Sequence, residues 1–363
     1  MKGKRVGLLA HPASVDAELR HAVDIVGAQA DLKVVFGPEH GFAGTAQDMI
    51  GVDGERAGGV RVVSLYGSSA ADLQPNRADL EGLDLIIVDL QDVGARYYTY
   101  VWTCAFMLRV AAKVGVRVMV LDRPNPLGGE IVEGMPQRAG YRSFVGLYDV
   151  AVRHGMTIGE IAEHVRRAEG IDREALQVVK MEGWSRSMYF DDTGLPWVLP
   201  SPNMPTLDTA IVYPGGCVIE GTRLSEGRGQ TRPFEIWGAP GVDGARLSPV
   251  EGAVLRPLTF QPTFQKHAGA LCGGVQVHVT DRARFRSYQA YLRWIAEMIG
   301  QLDWEMPWRT DEYEYETLRP AIDLLTGGPE YRQLVNRRES LDAYLERDAS
   351  GAEAFGAGRV LLY

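Results

Sequence analysis

The stretch Leu85-Ile86-Ile87-Val88-Asp89-Leu90-Gln91-Asp92 reads as a strand that ends on two carboxylates and an amide. Four apolar residues in a row, three of them β-branched, fit a parallel strand covered on both faces better than a half-exposed one. Outward from it the same plan recurs. Val6–Leu9 is followed by His11, Leu32–Phe36 by Glu39 and His40, Val62–Leu65 by Tyr66, and Val116–Leu121 by Asp122, Arg123, Pro124 and Asn125. Helical spacing fills the intervals. Asp16–Gly27 places Leu19, Val23 and Val26 on one face, and Tyr98–Val114 places Val101, Cys104, Leu108 and Ala111 likewise. Thr157–Ala168 opens on Thr157 with Glu160 three residues on, a capping-box pattern. Leu176–Met181 reads as a further strand. Strands alternating with helices predict an α/β fold, a parallel sheet with helices on both faces. In such a sheet the carboxyl ends share one edge, where ligands bind. Polar residues far apart in the chain are therefore expected at one site.

Beyond residue 183 the texture changes. Asp191–Pro205 is crowded with proline, and Glu220–Arg232 is rich in glycine and charge. Val275, Val277 and Val279 alternate as a strand. Tyr288, Leu292, Ile295 and Ile299 line a helix face, and Tyr331–Asn336 and Ser340–Glu346 suit short amphipathic helices. The expected division is an α/β domain over 1–232 and a smaller C-terminal α+β domain over 233–363 that completes the cleft.

Of the 363 residues, 45% are hydrophobic and 23% charged, which suits a packed globular protein. The net charge of −9 disfavours nucleic acid and anionic lipid as partners. No apolar run approaches the ~18 residues of a membrane span. Met1-Lys-Gly-Lys-Arg5 leads into a strand with no apolar signal region, so a cytoplasmic location is expected, or a periplasmic or extracellular one if a leader has been removed. Cys104, Cys217 and Cys272 are far apart and read as buried thiols. Gly7-Leu-Leu-Ala-His-Pro12 after the first strand lacks GxGxxG, and no GxxxxGK[ST] occurs, so no nucleotide cofactor is expected. His11, His40, Asp89 and Asp92 could meet at the sheet edge, yet HxH and HExxH pairs are missing and no metal is expected.

Phe36-Gly-Pro-Glu-His-Gly-Phe42 is the sharpest local signal. Pro38 and its flanking glycines make a tight turn just past a buried strand, presenting Glu39 and His40 at the edge. A glutamate among apolar neighbours has its pKa raised and can act as a general acid. Asp89 and Asp92 need partners if buried, and Arg96, Tyr97, Tyr98 and Tyr100 supply donors suited to a polyol. Arg123 and Asn125 are candidate ligand clamps, with His11, Gln91 and Asn203 at neighbouring turns. The second loop brings two acids, Glu220 and Glu226, beside Arg223 and Arg228. Trp184 and Trp197 could each stack on a sugar ring or simply pack.

Eight segments, in order, resemble the exo-acting β-N-acetylmuramidases of the NamZ type, a bacterial glycoside hydrolase family. They are Gly37-Pro-Glu-His-Gly41, Asp89-Leu-Gln-Asp-Val-Gly-Ala-Arg-Tyr-Tyr-Thr-Tyr100, Leu121-Asp-Arg-Pro-Asn-Pro126, Arg153-His-Gly-Met-Thr157, Pro200-Ser-Pro-Asn-Met-Pro205, Glu220-Gly-Thr-Arg-Leu-Ser-Glu-Gly-Arg-Gly229, Cys272-Gly-Gly-Val-Gln-Val-His278 and Ile322-Asp-Leu-Leu-Thr-Gly327. The resemblance implies release of N-acetylmuramic acid from the non-reducing end of peptidoglycan fragments. It also implies a Rossmann-like catalytic domain with a smaller C-terminal one, and Glu39 as the catalytic residue. Glycoside hydrolysis needs a proton donor and a second group for water or the anomeric carbon. Glu39 is assigned as the acid with His40 beside it. Asp92 is the first choice for second carboxylate, with Glu220 or Glu226 in reserve. Attack by the substrate's own acetamido oxygen is the third option. The lactyl carboxylate of muramic acid wants an arginine, for which Arg96, Arg123, Arg223 and Arg228 are candidates. The competing readings are a metal-dependent hydrolase or amidase on cell-wall fragments and a non-catalytic saccharide-binding protein.

Overall fold

The computed structural model describes residues 2–44, 56, 57 and 59–363. Its larger sheet contains β1 (Arg5–Ala10), β2 (Asp31–Gly37), β3 (Arg56–Ala57), β4 (Val60–Ser64), β5 (Leu85–Asp89), β6 (Arg117–Leu121) and β7 (Leu176–Val179), in the spatial order β3-β4-β2-β1-β5-β6-β7. Every neighbouring pair is parallel except the short edge pair β3–β4. Without that edge, the six parallel strands follow the Rossmann order, whose direction reverses between β1 and β5.

Side chains alternate across the strands and are buried on both faces. Val6, Leu8, Val35, Leu85 and Ile87 pack with Ala22, Val23 and Val26 of α1 (Ala22–Gln29). On the opposite face Leu9, Phe36, Ile86, Val88, Val118 and Val120 join a larger core. After the four-residue α2 (Arg77–Leu80), this second face is covered by α3 (Tyr100–Lys113) and α4 (Ile158–Ala168). Helices on both faces match the expectation. Thr157 caps α4 in a capping box: its Oγ1 accepts from Glu160 N at 3.2 Å and its own N–H donates to Glu160 Oε2 at 3.0 Å.

The first helix begins six residues later than its periodicity suggested. Asp16 Oδ1 accepts from the backbone N–H groups of Glu18 and Arg20, at 3.0 and 2.8 Å, closing a turn that competes with helix. Leu19 sits at φ +62 and is 57% exposed, not on the core face.

The C-terminal part contains α5 (Leu207–Gly216), a three-stranded antiparallel sheet and four more helices. Strands β8 (Ile236–Ala239), β9 (Ala253–Phe260) and β10 (Cys272–Val279) run in the order β8-β10-β9. The helices are α6 (Ser287–Gln301), α7 (Ala321–Thr326), α8 (Glu330–Arg337) and α9 (Asp342–Gly358), the last far longer than the helix expected at Ser340–Glu346. α5 lies tight on α6, where a Cβ on Gly215 would fall 2.2 Å from Ser287 O. The main hydrophobic core runs without interruption from Val88 and Val118 of the large sheet to Trp237, Val275 and Ile295. The three cysteines are buried and unbonded to one another. Among the described residues no helix is long and apolar enough to cross a membrane.

Candidate active site

β2 runs apolar to Phe36 and then turns sharply. Gly41 N–H donates to Pro38 O at 3.0 Å, with His40 at φ +70 and Gly41 at φ +78. A Cβ on Gly37 would sit 2.6 Å from Phe42 N, so the return of the chain requires glycine there. The turn tucks Glu39 inward, leaving it 6% exposed. Thr99, just before α3, donates its hydroxyl to Glu39 Oε2 at 2.5 Å. Tyr100 donates to Pro200 O at 2.6 Å and to Glu39 O at 3.4 Å, joining the Glu39 turn to the proline-rich loop. His40 Nε2 lies 3.9 Å from Glu39 Oε1.

Burial pushes the Glu39 carboxyl up to about 7, opposed by the Thr99 hydroxyl; the negative charge of Glu220 adds to the rise and Arg228 opposes it. Glu220 is itself held by two donors, Arg228 Nη2 to Oε1 at 2.6 Å and Tyr313 OH to Oε2 at 2.8 Å. Glu39, His40, Tyr97, Tyr98, Thr99, Tyr100, Ser201, Asn203, Glu220, Arg228, Tyr313 and Glu314 line one small cavity of about 40 Å3. Burial raises the phenols of Tyr97, Tyr98 and Tyr100, so they remain hydroxyl donors near neutral pH.

Other expected site residues lie elsewhere. Asp92 does not line this cavity. Its Oδ2 accepts from Gly94 N at 2.7 Å and lies 3.3 Å from His154 Nε2, a lock on the turn after β5. Arg96 is wholly buried and donates to the carbonyls of Met135, Val150 and Leu325 at 2.9, 3.1 and 2.8 Å. Those three carbonyls consume the fork that was expected to clamp a ligand. Asn125 bridges Met156 O and Leu127 N, both at 2.9 Å. Gln91 donates its side-chain amide to Asp92 O and Pro124 O, and its backbone N–H to His11 Nε2 at 2.8 Å. Burial, aided by Arg123, depresses the His11 pKa to about 3, so His11 is a neutral acceptor stitching β1 to β5. Arg123 grips Asp89 with two bonds, at 2.5 and 3.0 Å. That pair lines a separate cavity of about 650 Å3 on the α1 side, together with Trp184. Trp197 packs edge-on against Phe190 and donates to Met204 O at 3.2 Å.

Of the four arginines considered for a carboxylate, only Arg228 lines the Glu39 cavity. Arg223 is exposed and lies over Trp304, 5.3 Å from the ring centroid. Glu226 faces a neighbouring cavity of about 430 Å3. Burial alone would raise its carboxyl, but Lys266 at 3.0 Å and Arg228 at 3.3 Å outweigh that and hold it below its ordinary value. Thr99, Ser201, Tyr313 and Glu314 complete the cavity's polar lining without having been singled out. Thr99 sits inside a stretch already marked as chemical, whereas Glu312-Tyr-Glu-Tyr-Glu316 carries no pattern that marks its middle glutamate. Among the described residues no group of three or more His, Cys, Asp or Glu side chains is arranged to hold a metal ion.

Two family models together match nearly the whole chain. Residues 6–208 match the model described as exo-β-N-acetylmuramidase NamZ, N-terminal, and residues 211–363 match its C-terminal counterpart. A Bacillus subtilis (strain 168) protein described as peptidoglycan β-N-acetylmuramidase NamZ is 47% identical over 302 residues, covering 80% of this chain and 72% of that protein. Two DUF1343 family proteins from Bacteroides fragilis NCTC 9343 have similar crystal structures. One superposes with a TM-score of 0.86 at 29% identity and the other with 0.75 at 26%, each over 100% of this chain and 94% of the other.

Proposed function

The chain belongs to the exo-β-N-acetylmuramidase NamZ family, and from that premise we propose that Glu39 is the acid that protonates the departing glycosidic oxygen. The protein is a glycoside hydrolase that releases N-acetylmuramic acid from the non-reducing end of peptidoglycan-derived saccharides. One observation carries the assignment of the acid: a buried glutamate whose pKa lies near 7 beside a second carboxylate held by two donors. Environments that push two carboxyl groups apart in pKa separate the acid from its anionic partner. In this reading Glu39 keeps its proton for the leaving oxygen, while Glu220 faces the positive charge that develops at the anomeric carbon. Glu220 replaces Asp92 as second carboxylate because Asp92 accepts from Gly94 N and does not line the cavity. His40 flanks the acid, and Arg228 is the arginine placed for the lactyl carboxylate. Residues 1–232 supply Glu39, Glu220 and Arg228, and residues 233–363 complete the cleft through Tyr313 and Glu314.

The test is turnover of a chromogenic N-acetylmuramide. Wild type cleaves it, and Glu39→Gln loses about three orders of magnitude in kcat/KM, the middle of the range for general acid catalysis. Full activity in Glu39→Gln removes the assignment.

A further inference from the structure

The cavity of about 430 Å3 beside the Glu39 cavity has no duty in the mechanism above, and neither has Arg223, which lines it. The two cavities share two walls. Segment 220–228 puts Glu220 and Arg228 in the smaller cavity and Thr222, Arg223 and Glu226 in the larger. Segment 309–314 puts Tyr313 and Glu314 in the smaller and Arg309 and Asp311 in the larger. Backbone bonds hold these stretches side by side: Arg223 N–H donates to Pro307 O at 2.8 Å and Arg309 N–H to Gly221 O at 3.0 Å. Arg228 spans the boundary, bonded to Glu220 at 2.6 Å and lying 3.3 Å from Glu226.

The acids of the larger cavity are already matched. Glu226 holds Lys266 and Arg228, and Asp311 lies 2.9 Å from Arg309. Arg223 is the cation left over. Its guanidinium rests on Trp304 and reaches Met306 O at a long 3.5 Å, and among the described residues it has no acidic partner. The platform beneath it is fixed. The His267 ring stacks on Trp304 with centroids 6.2 Å apart, and His267 Nε2 donates to Arg223 O at 2.8 Å. Lys266 donates to the carbonyls of Ile219 and Glu220 at 3.2 and 3.4 Å. Gln265 and His267, on either side of it, sit at φ +61 and +58. Non-glycine residues in the left-handed region persist only where surrounding contacts impose them, and such places cluster at ligand sites.

We propose, on the reading that the Glu39 cavity receives the terminal muramoyl residue, that the larger cavity is a second anion subsite, in which Arg223 pairs with a carboxylate the substrate carries beyond that residue. A terminal residue continues in only two directions: through its anomeric oxygen into the rest of the glycan, and through its lactyl group into any attached peptide. Both directions offer a carboxylate, on the lactyl group of the next muramoyl unit or on the peptide. The planar guanidinium suits that group, and its seat on the indole holds it ready. The volume is that of an ordinary ligand pocket.

The experiment compares kcat/KM of wild type, Arg223→Ala and Arg223→Lys on two pairs of substrates. One pair is a tetrasaccharide alternating N-acetylmuramic acid and N-acetylglucosamine, its second muramoyl unit carrying the free carboxylate or the carboxamide. The other is a chromogenic muramide whose lactyl group is joined to alanine, again as acid or carboxamide. Within one pair wild type should prefer the acid by about 5-fold, the upper end for an exposed ion pair. The preference should fade at high salt, disappear in Arg223→Ala and survive in part in Arg223→Lys. The pair that shows it names the source of the carboxylate. No preference within either pair, or one that Arg223→Ala keeps, overturns the subsite, as does an equal loss on acid and amide, which marks a packing role. A wild type inactive on the plain chromogenic muramide overturns the underlying reading instead.

Discussion

The Glu220 carboxylate, gripped by Arg228 and Tyr313, faces the same cavity as Glu39 and helps lift the Glu39 carboxyl to about 7. Glu39 works as an acid only while protonated, so kcat/KM is expected to fall as pH rises through about 7. Removing the neighbouring charge with Glu220→Gln should move this alkaline limb to lower pH. A pH profile of kcat/KM for both proteins checks it, and an unmoved limb refutes the coupling.

Thr99→Val is expected to shift the same limb the other way. The Thr99 hydroxyl stabilises the ionised form of Glu39, so its loss raises the pKa further. Opposite shifts from Thr99→Val and Glu220→Gln are the result to look for. Shifts of the same sign would point to general damage.

The raised pKa also has a cost in stability. Well below pH 4.5, the ordinary value for a glutamate, Glu39 is neutral both folded and unfolded. Between there and about 7 the unfolded chain ionises while the folded one resists, so stability falls as pH rises across that window. The full penalty is on the order of 3 kcal/mol above it. Glu39→Gln should therefore be more stable than wild type at pH 8 and little different at pH 4, measured by denaturant unfolding. Equal stability at pH 8 would contradict the burial argument.

Asp92→Ala should destabilise by about 1–3 kcal/mol, because it strips the buried acceptor from Gly94 N. The folded variant should keep kcat/KM within a few-fold of wild type. A loss comparable to that of Glu39→Gln would return Asp92 to the chemistry.

Arg228→Met should erase the preference for an N-acetylmuramide over the corresponding N-acetylglucosaminide, which lacks the lactyl carboxylate. The ratio of the two kcat/KM values is the readout, since damage to Glu220 would lower both together. A charge-assisted contact of this kind is worth roughly 10- to 100-fold. An unchanged ratio would assign the lactyl group to another side chain.

The parallel sheet was legible because each strand is a short apolar run that stops on polar residues, and Glu39 was legible because Pro38 and two glycines announce a turn there. Where side chains could satisfy backbone groups, reading by residue type misled. Arg96 has the look of a ligand clamp but spends its donors on three carbonyls, and Asp16 closes a turn within what reads as helix. Glu314 was illegible for another reason. Its burial depends on Tyr66, 248 residues earlier, and on a left-handed backbone that no glycine or asparagine signals.

A chamber of about 40 Å3 has room for about three waters. A pyranose bearing acetamido and lactyl arms is several times larger. Glu314 on the chamber wall accepts from Tyr66, just past β4, at 3.1 Å, and Tyr315 donates to Gly67 O at 2.9 Å, a clasp between two distant stretches of the chain. Loading and emptying must therefore involve some parting of the walls, and no catalytic cycle can outrun that breathing.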